Sequence, residues 1–95
     1  MAIVMLAEER GKNNLPMAYL SWLQYWEVRK NRDADTCSVT RCFNPATIGA
    51  HVVLAGTTEE SYIMPICKTC RSKAKLFSIP LRVPRDKLVQ APKVK

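Results

Sequence analysis

Two cysteine pairs spaced C-x4-C and C-x2-C, a β-branched stretch between them and a run of aromatic residues at helical spacing ahead of them predict a small α+β domain. The expected architecture is a ββα unit closed on one metal ion, with an additional N-terminal helix in front. At 95 residues the chain is one small domain, short of the apolar core that would make it comfortably stable. Something besides burial must hold it, and four cysteines offer either two disulfides or one metal site.

The first segment, residues 1–14, opens with "MAIVMLAEERGK". Its apolar run has no basic residue before it and acids after it, which is a poor secretory signal. No run approaches the roughly 18 apolar residues that cross a bilayer. The expectation is a cytoplasmic protein with no membrane partner and reduced thiols, so zinc is favoured over disulfides.

In "NNLPMAYLSWLQYWEVRKNRD" the positions Leu15, Ala18, Tyr19, Trp22 and Trp26 recur at helical spacing, and a helix is expected over residues 15–31. Asn14 suits its N-cap, Pro16 its first turn, and Lys30 and Arg32 the negative end of its dipole. The aromatic stripe reads as core, against the alternative of a base-stacking surface.

Residues 36–89 carry the chemistry. Cys37 and Cys42 stand in a turn-forming context before Asn44 and Pro45, and Cys67 and Cys70 lie beyond a loop of 24 residues. Each close pair can supply adjacent corners of one tetrahedral four-thiolate zinc site. Between the pairs, "IGAHVVLAG" and "SYIMPI" are strand-forming and "GTTEES" is turn-forming, a β-hairpin pattern. "CKTCRSKAKLF" has helix formers and no breaker, so Cys67 and Cys70 are expected in the first turn of a helix, where unpaired N–H groups favour thiolates. A knuckle, a hairpin and a helix that completes the metal site describe a treble clef with one structural Zn2+. After it, Pro80, Pro84 and Pro92 favour extended chain: "LFSIPLRV" as an edge strand or a segment packed on the first helix, and residues 90–95 as a flexible basic tail.

Charge is uneven. Residues 68–95 hold nine basic residues against Asp86, a balance of +8, whereas residues 1–67 balance at −1. A zinc ion on four thiolates adds about −2 and leaves the +7 chain near +5, which favours a polyanion. Arg71, Lys73 and Lys75 on the second helix, with Arg82 and Arg85 beyond, are the expected footprint on backbone phosphates, with DNA favoured over RNA.

The order C-x4-C, then "GAHV", then "YIMPICKTC" and a basic helix resembles the HNH family, in particular its small treble-clef members with a histidine at the end of the first hairpin strand. The resemblance covers about residues 36–89. It implies nucleic acid as partner, and in a working member a second divalent metal at the scissile phosphate with a histidine as general base. His51 matches that base and is expected on the strand face turned to the helix. The rest of the motif departs: Ala50 stands where an acid or histidine often precedes the base, Tyr62 where an asparagine holds it, and Arg71 where the last metal ligand is expected. An arginine cannot ligate a metal. Glu59 and Glu60, the nearest acids, fall in the expected hairpin turn.

The reading is thus a zinc-binding, HNH-like domain that binds nucleic acid through a basic face with its nuclease chemistry degenerate. Two alternatives stand beside it: an active metal-dependent endonuclease using His51, and a small phage-type adaptor or inhibitor that meets an acidic protein surface. The sequence leaves the oligomeric state open.

Overall fold

The computed structural model describes residues 2–7, 19–56 and 61–91. Within them, strands β1 (Ala2–Leu6), β2 (Ile48–Leu54), β3 (Ser61–Ile66), β4 (Leu81–Val83) and β5 (Val89–Gln90) form one antiparallel sheet in the order β4-β1-β2-β3-β5. Two helices, α1 (Trp22–Lys30) and α2 (Lys68–Phe77), and a 3-10 turn (Arg85–Lys87) complete the described elements. None of the described helices is long and apolar enough to cross a membrane.

The hairpin β2–β3 pairs as the sequence suggests, with His51 opposite Ile63 and Gly49 opposite Pro65. Pro65 lacks an N–H, yet it costs the ladder nothing. The outer edge of β3 pairs with β5 only at Tyr62 and Ile63, and further along the carbonyl of Pro65 accepts the Ser38 N–H at 3.0 Å. "LFSIPLRV" does supply an edge strand, β4.

β1 is the element to which the sequence analysis assigns no structure. It pairs with β2 through Met5 and Val53 and with β4 through Ile3 and Arg82, so the first residues lie inside the sheet rather than ahead of the module. Their alternation is a strand signal: Ala2 and Val4 are buried while Ile3 is exposed.

Strand alternation splits the core into two layers. On one face Ala2, Val4, Ala50, Val52, Met64, Ile66, Leu81 and Val83 pack with Cys37, Cys67 and Ala74 of α2. On the other, Ile63 and Val89 pack with Tyr25 and Trp26 of α1. The sheet is therefore covered by α2 and the cysteine knuckle on one side and by α1 on the other.

The first helix starts later than residue 15. Tyr19, Leu20 and Ser21 are not helical, and Ser21 is the N-cap, its Oγ accepting the Gln24 N–H at 3.1 Å. Gln24 reaches back in turn, its Oε1 accepting the Leu20 N–H at 2.6 Å, a variant of the reciprocal capping box in which Ser and Gln stand three apart. Asn14 and Pro16, the expected start, lie outside the described residues, as do Leu15, Ala18, Glu59 and Glu60. The helix ends as Asn31 turns left-handed at φ 56°, with the Asn31 and Arg32 N–H groups bonded to the Val28 and Glu27 carbonyls. The aromatic stripe is core, as expected. Trp26 is 1 % exposed and donates its indole N–H to the Lys87 carbonyl at 2.8 Å, and the Tyr25 hydroxyl bonds the Gln90 carbonyl at 3.4 Å.

The α1 backbone rides directly on β2 at Gly49. A Cβ there would fall on the backbone of Trp22 and Leu23, 2.8 Å from the Trp22 carbonyl oxygen and closer still to its neighbours, so only glycine fits. Gly49→Ala is expected to lower the unfolding free energy by about 2–3 kcal/mol, as overpacking against backbone does. Urea titration followed by tryptophan fluorescence measures it, and an unchanged midpoint would show that α1 does not sit there.

Candidate metal centre

Cys37, Cys42, Cys67 and Cys70 converge: their four Sγ atoms all lie within 4.8 Å of one another. All four are free thiols. Cys42 Sγ stands 3.7 Å from Cys67 Sγ and 3.5 Å from Cys70 Sγ. A disulfide would need about 2.05 Å. Sulfurs at the corners of a tetrahedron around zinc, each about 2.3 Å from the ion, are about 3.8 Å apart. The spacing therefore suits a metal ion held by four thiolates, and a soft all-sulfur donor set of this kind suits zinc.

Each pair is placed by its own local structure. Around the first, the chain doubles back on itself: the Cys37 N–H bonds the Asn44 carbonyl at 2.9 Å, Ala46 N–H bonds Asp35 carbonyl at 3.1 Å, and Thr36 bridges Pro45. Within it the Cys42 N–H closes a turn on the Val39 carbonyl at 3.0 Å, with Arg41 left-handed at φ 70°. The knuckle is pinned to both halves of the sheet, through Ser38 to Pro65 and through the Thr40 N–H to the Arg82 carbonyl at 2.8 Å. The second pair opens α2. Cys67 is its N-cap, the Sγ accepting the Cys70 N–H at 3.3 Å, and Cys70 lies in the first turn. Cys67, Cys70 and Ala74 share one helix face by their three- and four-residue spacing, and Ala74 is buried against the sheet. Lys68, Lys73 and Lys75 are left exposed and Arg71 partly so.

The electrostatics separate the thiols. Burial opposes ionisation of Cys67, but the Cys70 N–H, the Cys70 thiol, Asn44 and Cys42 together outweigh it and bring Cys67 down to about 7. Burial dominates at Cys37 and pushes it up to about 11, although the Cys67 and Val39 N–H groups work the other way. At Cys70 burial and then the Cys67 thiol, which takes the proton-free role, push the group well up. One thiolate poised for metal and neighbours that need the metal to ionise describe a site completed by a cation.

Asn44 is a ligand-supporting residue that the sequence analysis treats only as a turn former. Its Nδ2 donates to Cys67 Sγ at 3.7 Å, tying the knuckle to the helix cap. The signal was present in "CFNP", where the asparagine stands two residues after a ligand. Ser38, 3 % exposed, keeps its Oγ without a hydrogen-bond partner among the described residues.

His51 does not stand where the sequence analysis expects it. Ala50 and Val52 face α2 and the cysteines, so the strand alternation turns His51 to the opposite face. It is 4 % exposed there, edge-on to Trp22 of α1 with ring centroids 4.3 Å apart. The expected basic footprint also divides. Arg82 lies between Leu81 and Val83, both buried on the α2 side, so it emerges on the other face, and Arg85 is exposed in the 3-10 turn whose Lys87 carbonyl holds Trp26. Arg71, Lys73 and Lys75 stay together on α2. Among the described residues, the four cysteines form the one group of three or more His, Cys, Asp or Glu side chains close enough to hold a metal.

Compared with family models, curated proteins and solved structures, the chain matches none. The geometry of the site is thus the main guide to its chemistry.

Two outcomes follow for the metal. Stripping it with a chelator is expected to abolish the near-native circular dichroism of the module, and Cys70→Ser to do the same without chelator, because metal-linked folding energy in such sites is about 10–16 kcal/mol. A chelated protein with an unchanged spectrum would contradict this. The second outcome concerns protons. Because the Cys67 value is lowered from the ordinary thiol value of 9.0, its contribution to the stability of the metal-free fold is present above pH 9 and lost as the pH falls through about 7. With the module unfolded in the absence of metal, zinc must displace a proton from each thiol at neutral pH and below. Calorimetry in buffers of different ionisation heat is expected to find close to four protons released per zinc at pH 6, one from each thiol of the metal-free chain; release of two or fewer would show that thiolates already stand in that chain.

Proposed function

We propose that this chain is a zinc-stabilised treble-clef domain related to the HNH family that grips nucleic acid through α2 and has lost nuclease chemistry. The order of knuckle, hairpin and metal-capped helix supports the treble clef. The observation that carries the functional reading is the division of the sheet. The α2 side presents Lys68, Arg71, Lys73 and Lys75 with no acid on the helix, while the sole histidine is buried on the far side against Trp22. A general base must reach the proton it removes, and His51 is separated by the sheet from the helix that would hold the phosphate. Arg71, in place of a metal ligand, supplies fixed positive charge instead. Cations along an acid-free helix suit backbone phosphates and read no sequence.

A second reading has its own observation. Leu76, Phe77 and Ile79 at the C-terminal end of α2 are exposed, Leu76 at 76 %, which favours a protein partner with an acidic rim around an apolar centre.

Fluorescence anisotropy of the zinc-loaded protein with a labelled 20-base-pair duplex separates the two. Binding is expected at low salt, and Arg71→Glu with Lys73→Glu is expected to weaken it at least tenfold and lower the salt slope by about two, one for each phosphate no longer neutralised. Unchanged binding by a folded double variant would sink the α2 footprint, and plasmid nicking that vanishes in His51→Ala would restore the nuclease.

A further inference from the structure

The rim of the metal centre carries a feature that the phosphate footprint does not use. Phe43 is 86 % exposed, although it adjoins Cys42 in a segment held by several backbone hydrogen bonds. Its neighbours are fixed on both sides. Cys42 is a ligand whose N–H bonds Val39, Asn44 bonds Cys67 Sγ through its side chain and Cys37 through its carbonyl, and Pro45 bridges Thr36. The backbone therefore cannot fold the ring back onto the core, and the aromatic face is displayed on a rigid support.

Three cations adjoin the same cysteine cluster. Arg41 precedes Cys42, Lys68 follows Cys67 and Arg71 follows Cys70, and the three ligand sulfurs lie 3.5 and 3.7 Å apart across the Cys42 corner. Each of these cations and Phe43 is thus one residue from a sulfur of a single cluster. Arg41 and Lys68 are exposed. A flat exposed ring and cations that adjoin one cluster suit a nucleobase and the phosphates on either side of it. Stacking of that kind needs an open π-face, which a base inside a duplex does not offer.

We infer that Phe43 is a stacking platform for an unpaired base, with Arg41 and Lys68 on the adjoining phosphates, so that the domain favours single-stranded over double-stranded nucleic acid. This rests on the reading of α2 as a nucleic-acid face and adds the class of strand. A pinned platform gains affinity because no loop has to be ordered on binding.

The test compares Phe43→Ala with the wild-type zinc-loaded protein on (dT)15 and on a blunt duplex of 15 base pairs. The variant is expected to lose about tenfold or more on (dT)15 and less than twofold on the duplex, with Phe43→Tyr close to wild type on both. Arg41→Glu is expected to weaken both ligands. Zinc content and thermal midpoint, expected unchanged for so exposed a side chain, keep the comparison clean. Duplex binding with no selective loss on (dT)15 in Phe43→Ala overturns the platform and leaves the α2 footprint standing. Failure of the wild type to bind either oligonucleotide overturns both, and capture of phosphatidylserine vesicles instead, lost in Phe43→Ala, would assign the ring to a lipid surface.

Discussion

Four sulfur atoms converging on one point are the constraint on which the rest of this structure depends. α2 buries only Ala74 besides its cysteines, and burying one methyl group stabilises by about 1 kcal/mol or less. That is far too little to order a ten-residue helix whose remaining faces are basic or exposed. The knuckle from Cys37 to Cys42 has no regular secondary structure at all. A metal ion on the four thiolates would join these two weak segments to each other. The backbone bonds from Ser38 to Pro65 and from Thr40 to Arg82 then join the pair to the sheet. The N–H groups at the start of α2 serve two ends at once: they cap the helix through Cys67 Sγ, and they favour the thiolate that a metal needs.

The sheet acts as a partition. Because side chains alternate along β2, Ala50 and Val52 belong to the metal layer and His51 to the α1 layer, and no shift short of one residue in register could exchange them. α1 closes the second layer with Trp22, Tyr25 and Trp26, its backbone approaching β2 at Gly49. The histidine is thereby part of a packed aromatic cluster, and the charge-bearing helix is free of acids. On the reading proposed above, such a surface would serve electrostatic grip better than metal-dependent hydrolysis, which needs its base and its metal on the same side as the phosphate.

How far the sequence reveals this depends on the range of each interaction. Cys37 to Cys42 and Cys67 to Cys70 are local pairs whose spacing is a direct consequence of ligand geometry, and the hairpin between them is contiguous in the chain, so all of it was legible. β1 was not, because Met5 finds its partner at Val53 and a five-residue apolar run does not show on its own what it pairs with. The start of α1 was misplaced because Asn14 and Pro16 form a plausible cap; the Ser21 and Gln24 pair, three apart, was the better signal. The orientation of His51 was hidden for a different reason. Both faces of β2 are buried, so its side chains lack the apolar and polar alternation that would have assigned each to a face. The split of Arg82 from the α2 cations follows from β4, whose three residues are too few to show a pattern.

The central claim is that a single zinc ion on four thiolates holds the knuckle to α2. X-ray absorption at the zinc edge of the purified, metal-loaded protein measures the ligand shell directly. One zinc per chain is expected, with four sulfur neighbours at about 2.3 Å and no nitrogen or oxygen in the shell. A shell containing nitrogen or oxygen, or a folded protein in which these cysteines form disulfides and hold no zinc, would contradict it.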